Sequence, residues 1–292
     1  MTAQLEPAGE RTVVETSVGP VCALQAGTAG EPVLLVPGYT GSKEDFAPVL
    51  PLLAASGFAA TAIDLPGQYE SPGPADPDAY TPARLGEVVG EVGAALCDTG
   101  GGVHLLGHSF GGLVARAAVL ADPASYRSLV LMSSGPAGIG GGRRAMIEHL
   151  EPVLAVSGMA GVYAASLAVY RAQADYVEPP APLAAFLERR FLAGAPAMLQ
   201  GMGRALRDEP DRVADLAALG VPTLVLYGVD DDAWPAHVQD DMARRLQAEV
   251  VVVAEAAHSP AVENPAATAT ALMAFWQRQA AQTAPSSPAH ES

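Results

Sequence analysis

Val103-His104-Leu105-Leu106-Gly107-His108-Ser109-Phe110-Gly111-Gly112 is the stretch that decides the fold. The apolar run Val103 to Leu106 reads as a short buried strand. After Ser109 come two glycines and then Leu113, Val114, Ala115, Ala117, Ala118, Val119 and Leu120, a helix apolar on most faces. A serine at the hinge, with glycine two before and two after, fits G-x-S-x-G, the turn that lifts a nucleophile clear of a sheet. Such a turn strains the serine backbone and leaves room only for glycine at the flanking crossings, Gly107 and Gly111. A glycine-rich turn whose serine merely caps the helix would carry the same letters. The partners of Ser109 elsewhere in the chain therefore have to separate the two readings.

Upstream, Thr12 to Thr16 and Val21 to Gln25 flank Gly19-Pro20 as a hairpin. Val33 to Val36 is apolar throughout and bounded by Pro and Gly, as in a buried parallel strand. Ser42 opens a helix closed by Gly57, Phe58 to Ile63 is a strand, and Thr81 caps a helix running to about Cys97. Downstream, Ser128 to Met132 is a strand, and then the alternation breaks. Residues 137–216 are helical in pattern only, punctuated at Gly158, Pro179-Pro180 and Pro210. Thr223 to Tyr227 and Glu249 to Val253 resume as strands, with helices over Pro235 to Leu246 and Asn264 to Gln279. Alternating strands and helices predict a mostly parallel sheet with helices on both faces. The domain organisation expected is a core of residues 1–136 and 217–282, a helical lid at 137–216, and a disordered tail at 283–292.

Composition narrows the function. Sixteen basic residues stand against 32 acidic ones, a formal charge of -16, and no basic patch stands out. Nucleic acid and anionic membrane are therefore excluded as expected partners. Cys22 and Cys97 lack metal-ligand spacing, so no metal is expected. No run of 18 apolar residues is free of Pro, Gly and charge, and residues 1–11 do not resemble a leader, so the chain is expected to be cytoplasmic.

In an open parallel sheet, functional groups gather beyond the carboxyl ends of the strands. Ser109 follows one strand, Asp230-Asp231-Asp232 another, and His258 the last, in the order nucleophile, acid, histidine. With these come Val33-Leu34-Leu35-Val36-Pro37-Gly38-Tyr39, Asp64-Leu65-Pro66-Gly67-Gln68 and Ala257-His258-Ser259-Pro260. Over residues 12–280 the chain resembles the α/β-hydrolase fold superfamily. The resemblance implies an eight-stranded, mostly parallel sheet flanked by helices, with an inserted helical lid. Pro37 departs from the pattern, since many members carry histidine there.

The resemblance also implies the site: Ser109 as nucleophile, His258 as base and Asp231 as acid. Gly228, Asp231 and Pro235 match the family's spacing, and Leu131-Met132-Ser133-Ser134-Gly135 leaves the other known acid position without a carboxylate. The backbone amides of Tyr39 and Phe110 match the oxyanion hole. Physically, a serine hydroxyl needs a base to take its proton, and an imidazole, titrating near ~6.5, can serve. A carboxylate behind the ring fixes its tautomer. Each donor aimed at the oxyanion contributes roughly 3 kcal/mol in the transition state.

The expected function is hydrolysis of an ester, thioester or related acyl bond, without a cofactor. The same scaffold also carries carbon–carbon bond hydrolases, cofactor-free perhydrolases (haloperoxidase-like) and lyases. A receptor with a dead site is the alternative outside enzymes. Residues 137–216 are rich in Met, Leu, Val and Phe, so an uncharged, apolar small-molecule substrate is expected beneath them. Arg143, Arg144, Glu188, Arg189 and Arg190 fall in short clusters read as solvent-facing edges. His108 reads as a filler of the turn rather than a base.

Overall fold

A computed structural model describes residues 4, 8–97, 101–174 and 176–283. Eight strands form one sheet in the order β1-β2-β4-β3-β5-β6-β7-β8. They are β1 (Glu10–Thr16), β2 (Gly19–Ala26), β3 (Glu31–Val36), β4 (Phe58–Ile63), β5 (Val103–His108), β6 (Tyr126–Met132), β7 (Thr223–Gly228) and β8 (Glu249–Val253). The β1–β2 hairpin and its pairing with β4 are antiparallel, and β3 to β8 are parallel. Strand β5 is buried along its whole length, as its apolar run demands.

The helices are α1 (Leu50–Ala55), α2 (Pro82–Ala95), α3 (Phe110–Ala121), α4 (Gly141–Arg171), α5 (Ala181–Ala193), α6 (Pro196–Asp208), α7 (Val213–Ala217), α8 (Ala236–Leu246), α9 (Pro260–Glu263) and α10 (Pro265–Thr283). Helix α2 begins where the sequence places its cap, with the Thr81 hydroxyl accepting from the Arg84 amide at 3.3 Å. The stretch from Ser42 to Gly57 is not one helix. A 3-10 turn at Lys43–Phe46 precedes the six residues of α1. Thr283 closes α10, and the rest of the expected tail lies outside the described residues.

Two apolar clusters sandwich the sheet. One packs α2 and α3 against alternate residues of β3 and β5, such as Leu34, Val36 and Leu105. The other packs Phe275 and Trp276 of α10 against Val33, Leu35 and Leu106 on the opposite face. This period-two division fixes each strand's register. The chain leaves β3 for β4 on one side and returns to β5 on the other. The order therefore reverses between β3 and β5, where such sheets open a crevice at their carboxyl ends.

Helices α4, α5 and α6 occupy the long excursion between β6 and β7. Helix α4 runs on through Pro152 and kinks at Gly158, which has φ 63°. Among the described residues it is the one helix long and apolar enough to cross a membrane by length and composition, with a mean hydropathy of 1.7 over its best window. At the base of the excursion, Arg116 of α3 is 2% exposed and reaches both crossings. Its guanidinium donates to the Pro136 carbonyl on the way out, and to Glu209 Oε1 (2.9 Å) and the Pro210 carbonyl (3.3 Å) on the way back.

Candidate active site

The turn from β5 into α3 holds Ser109 at φ 55°, ψ -120°, a strained conformation for a residue with a side chain. The glycines around it have no room to be anything else. A Cβ on Gly107 would overlap the Gly111 carbonyl, and one on Gly111 would overlap the carbonyls of Val36 and Pro37. A strain of this kind costs about 1–3 kcal/mol and persists only where the surroundings enforce it. Here the Ser109 amide donates to the Met132 carbonyl at 2.8 Å, and the Ser134 hydroxyl donates to the Ser109 carbonyl at 2.8 Å.

The structure brings Ser109, His258 and Asp231 together from three strand ends. Ser109 Oγ lies 3.0 Å from His258 Nε2, and His258 Nδ1 lies 2.9 Å from Asp231 Oδ1. With the carboxylate ionised, Nδ1 carries the proton and Nε2 is left to accept from the serine. Asp231 Oδ1 also accepts the Ala233 amide at 2.9 Å, and Oδ2 accepts Gln239 Nε2 at 3.0 Å. Burial works to raise the Asp231 pKa, but the bonds from His258, Ala233 and Gln239 outweigh it and hold the carboxyl below its usual range. Asp232 makes an exposed bidentate pair with Arg143 of α4 (2.6 and 3.1 Å) and no hydrogen bond to His258, although its carboxylate lies within 4.8 Å of Asp231 and His258. Asp230 is exposed.

The loop carrying His258 is gripped at its backbone. Glu263 Oε2 accepts the amides on either side, Ala257 at 2.7 Å and Ser259 at 3.1 Å. Gly228 lets this loop close on the acid turn, since a Cβ there would overlap the Ala257 carbonyl. Gln239, Glu263 and Ser134 were not legible as site residues. Each acts through hydrogen bonds that form only once the chain has folded, Glu263 through two of them, and nothing in their spacing marks them.

After β3 the chain turns through Pro37, Gly38 and Tyr39 against Ser109. A Cβ on Gly38 would stand 3.2 Å from the serine Cβ. Gln68 is buried beneath this turn and donates to the carbonyls of Gly38 (2.7 Å) and Tyr39 (3.2 Å). Its own Oε1 accepts the Leu65 amide at 2.9 Å. Beyond the turn, Lys43, the chain's single lysine, is wholly buried with its Nζ 2.8 Å from Asp64 Oδ2 and 2.6 Å from Glu70 Oε2, and so joins the segment after β3 to the loop after β4. Phe110 occupies the first position of α3, where a helix leaves its amides without an internal acceptor. The Tyr39 side chain rises away from the turn to donate to the Leu199 carbonyl of α6 at 2.6 Å.

A second serine–histidine–carboxylate array lies at the other end of β5. His104 Nδ1 is 2.8 Å from Ser128 Oγ, and its Nε2 is 3.1 Å from Glu31 Oε2. Ser128 is fully buried within β6 and has no strained turn beneath it. The distances alone thus do not distinguish a reactive serine; the turn and access do. Arg190 differs from the sequence expectation. Instead of facing solvent it is 13% exposed, with Nη1 2.6 Å from Asp45 Oδ1.

The geometry agrees with what the chain is similar to. Residues 33–271 match the model of the alpha/beta hydrolase family. The chain belongs to that family. The pimeloyl-[acyl-carrier protein] methyl ester esterase of Aeromonas hydrophila is 28% identical, over 81% of this chain and 91% of its own length. The polyketide synthase ThaQ of Burkholderia thailandensis is 28% identical over 93% of this chain, which spans only 13% of that protein. Among solved structures, a hydrolase from Pseudomonas aeruginosa PA01 superposes with a TM-score of 0.75 at 28% identity, covering 92% of this chain and 99% of its own. The α/β hydrolase described here thus shares fold and family with esterases and other hydrolases.

Proposed function

We propose that this hydrolase cleaves carboxylic esters, thioesters or related acyl bonds by nucleophilic attack from Ser109. The observation that carries the reading is the relay Ser109–His258–Asp231, with links of 3.0 and 2.9 Å, on a strained turn. Ser109 Oγ attacks the acyl carbon while its proton passes to His258 Nε2. Asp231, held ionised, stabilises the imidazolium through Nδ1. The amides of Tyr39 and Phe110 face the oxygen that gains charge, held in advance by Gln68 and by α3. His258 then returns the proton to the departing alcohol or thiol. Water, deprotonated by the same imidazole, releases the acyl group from Ser109.

Helices α4–α6 are read as a cover over this centre. Ser109 is only 7% exposed, and Tyr39 is bonded directly to α6. Met159, Val162 and Leu199 form an apolar cluster on the inner side of these helices, next to Tyr39. An uncharged, largely apolar small-molecule substrate suits that surface. The methyl ester esterase among its relatives supports an ester as the bond cleaved. A fluorophosphonate probe, followed by a screen of esters from acetyl to octanoyl, tests the reading. Covalent labelling at Ser109 and turnover of neutral esters are expected. A protein that neither labels nor hydrolyses any of them would be a binding protein on this fold.

A further inference from the structure

Tyr39 is held at both ends. Gln68 donates to its carbonyl at 3.2 Å, and its phenol donates to the Leu199 carbonyl of α6 at 2.6 Å. Burial pushes the phenol pKa up, so the group stays a donor. The Leu199 amide in turn donates to the Ala195 carbonyl (3.1 Å), and the Ala195 amide to the Gly67 carbonyl (2.8 Å), next to Gln68. These bonds close a ring, Tyr39–Leu199–Ala195–Gly67–Gln68, that leaves the core, passes through the helical insertion and returns. The Tyr39 amide itself has no backbone acceptor among the described residues.

The sequence of α6 is shaped to this contact. Glycine inside a helix is unfavourable relative to alanine, yet α6 holds Gly201 and Gly203. A Cβ on Gly201 would stand 2.1 Å from the Pro77 carbonyl oxygen, and one on Gly203 would stand 2.8 Å from the Tyr39 phenol oxygen. The two glycines thus let the helix seat against the core, the second of them directly on Tyr39.

We infer that Leu199 and Gly203 of α6 are positioning residues: through the Tyr39 phenol, the seat of the helical insertion sets the aim of the Tyr39 amide in the oxyanion hole. This rests on the hydrolase reading above and adds a dependence of the chemical step on the insertion. A donor in the hole acts where charge develops, so a misaimed amide lowers transition-state stabilisation and leaves ground-state binding alone.

Tyr39→Phe, Gly203→Ala and the double variant, assayed on p-nitrophenyl butyrate, provide the test. Tyr39→Phe keeps the ring and the amide but loses the bond to Leu199. Its kcat should fall about tenfold, part of the roughly 10²–10³ that removal of a whole oxyanion donor costs, with KM unchanged. Gly203→Ala, whose methyl meets Tyr39 and Ile147, should lower kcat by a similar factor as it displaces the phenol. In the double variant that oxygen is gone, so kcat should be no lower than in Tyr39→Phe alone. The Ki of a propyl trifluoromethyl ketone, whose adduct with Ser109 carries the oxyanion, should rise in step with the fall in kcat. A kcat within about twofold of wild type in Tyr39→Phe would overturn the inference. So would a loss confined to KM, losses that multiply in the double variant, or an unchanged ketone Ki. Should circular dichroism show Gly203→Ala unfolded, Tyr39→Phe and the ketone decide alone. Wild-type protein that turns over no ester would instead remove the hydrolase reading beneath the inference.

Discussion

His108 Nε2 donates to the backbone carbonyl of His258 at 2.7 Å, so the residue preceding the serine in the chain holds the residue that serves it. Burial, reinforced by the neighbouring His258, pushes the His108 pKa down to about 4, from 6.5. The contact therefore joins a neutral ring to a carbonyl.

That depressed value has a signed consequence for stability. The unfolded chain binds the proton near 6.5 and the folded one only near 4, so protons favour unfolding between the two. The contribution is fully present above pH 6.5 and is lost progressively as pH falls towards 4. Its size is about 3 kcal/mol at most, from ~1.4 kcal/mol per unit. Urea denaturation across this window should show wild-type stability falling more steeply than that of His108→Gln. Parallel curves for the two proteins would refute the assignment.

Ser109→Ala should lower kcat on the order of 10⁶-fold, because the relay acts as a unit. Activity within tenfold of wild type would end the claim for Ser109. Peptide mapping after fluorophosphonate treatment should find the label on Ser109 and none on Ser128, despite the comparable His104–Glu31 array behind the latter.

The acid turn offers a sharper contrast between neighbours. Asp231→Asn should cost about 10⁴-fold in kcat, by favouring the wrong tautomer of His258. Asp232→Asn breaks an exposed pair with Arg143, worth roughly 0–1 kcal/mol, and removes a charge near His258 while leaving the Asp231–His258 bond intact, so kcat should stay within a few-fold. Equal losses from the two substitutions would mean that the turn is arranged differently around the histidine.

Glu263 should behave as a positioning residue. Glu263→Ala leaves the amides of Ala257 and Ser259 without their acceptor, and kcat should drop by about tenfold while KM stays near its wild-type value. Glu263→Gln retains a carbonyl oxygen at the same reach and should restore most of the rate. A loss confined to KM, or no rescue by glutamine, would count against the clamp.

Much of this was legible in the chain. The strand before Ser109, the acidic turn after β7 and the loop after β8 each announce themselves, because a parallel sheet delivers its strand ends to one side. The elbow glycines were readable for the same local reason. What escaped is long-range. Gln239 supports Asp231 from the next helix, and Ser134 supports Ser109 from another strand. Arg190 is charged and lies in a run of charges, yet Asp45, far away in sequence, draws it inwards. Gly158 punctuates α4 as the sequence suggests, its non-helical backbone (φ 63°, ψ -165°) separating two helical stretches, whereas Pro152 lies inside the first of them without ending it. The strand order β4-β3-β5 is likewise a matter of packing, which no local pattern encodes.

Arg116 constrains any attempt to trade the helical insertion for another. Its guanidinium sits almost wholly inside the core while its acceptors, Pro136, Glu209 and Pro210, belong to the two junctions. Excising residues 137–209 would strand a buried cation, a defect that costs about 3–5 kcal/mol when one partner of such a pair is removed. A minimal, coverless version would therefore need Arg116 exchanged for Met or Leu in the same step. For chimaeras, a grafted segment would have to bring its own carboxylate to the Glu209 position, so the natural cassette extends one side chain into α3.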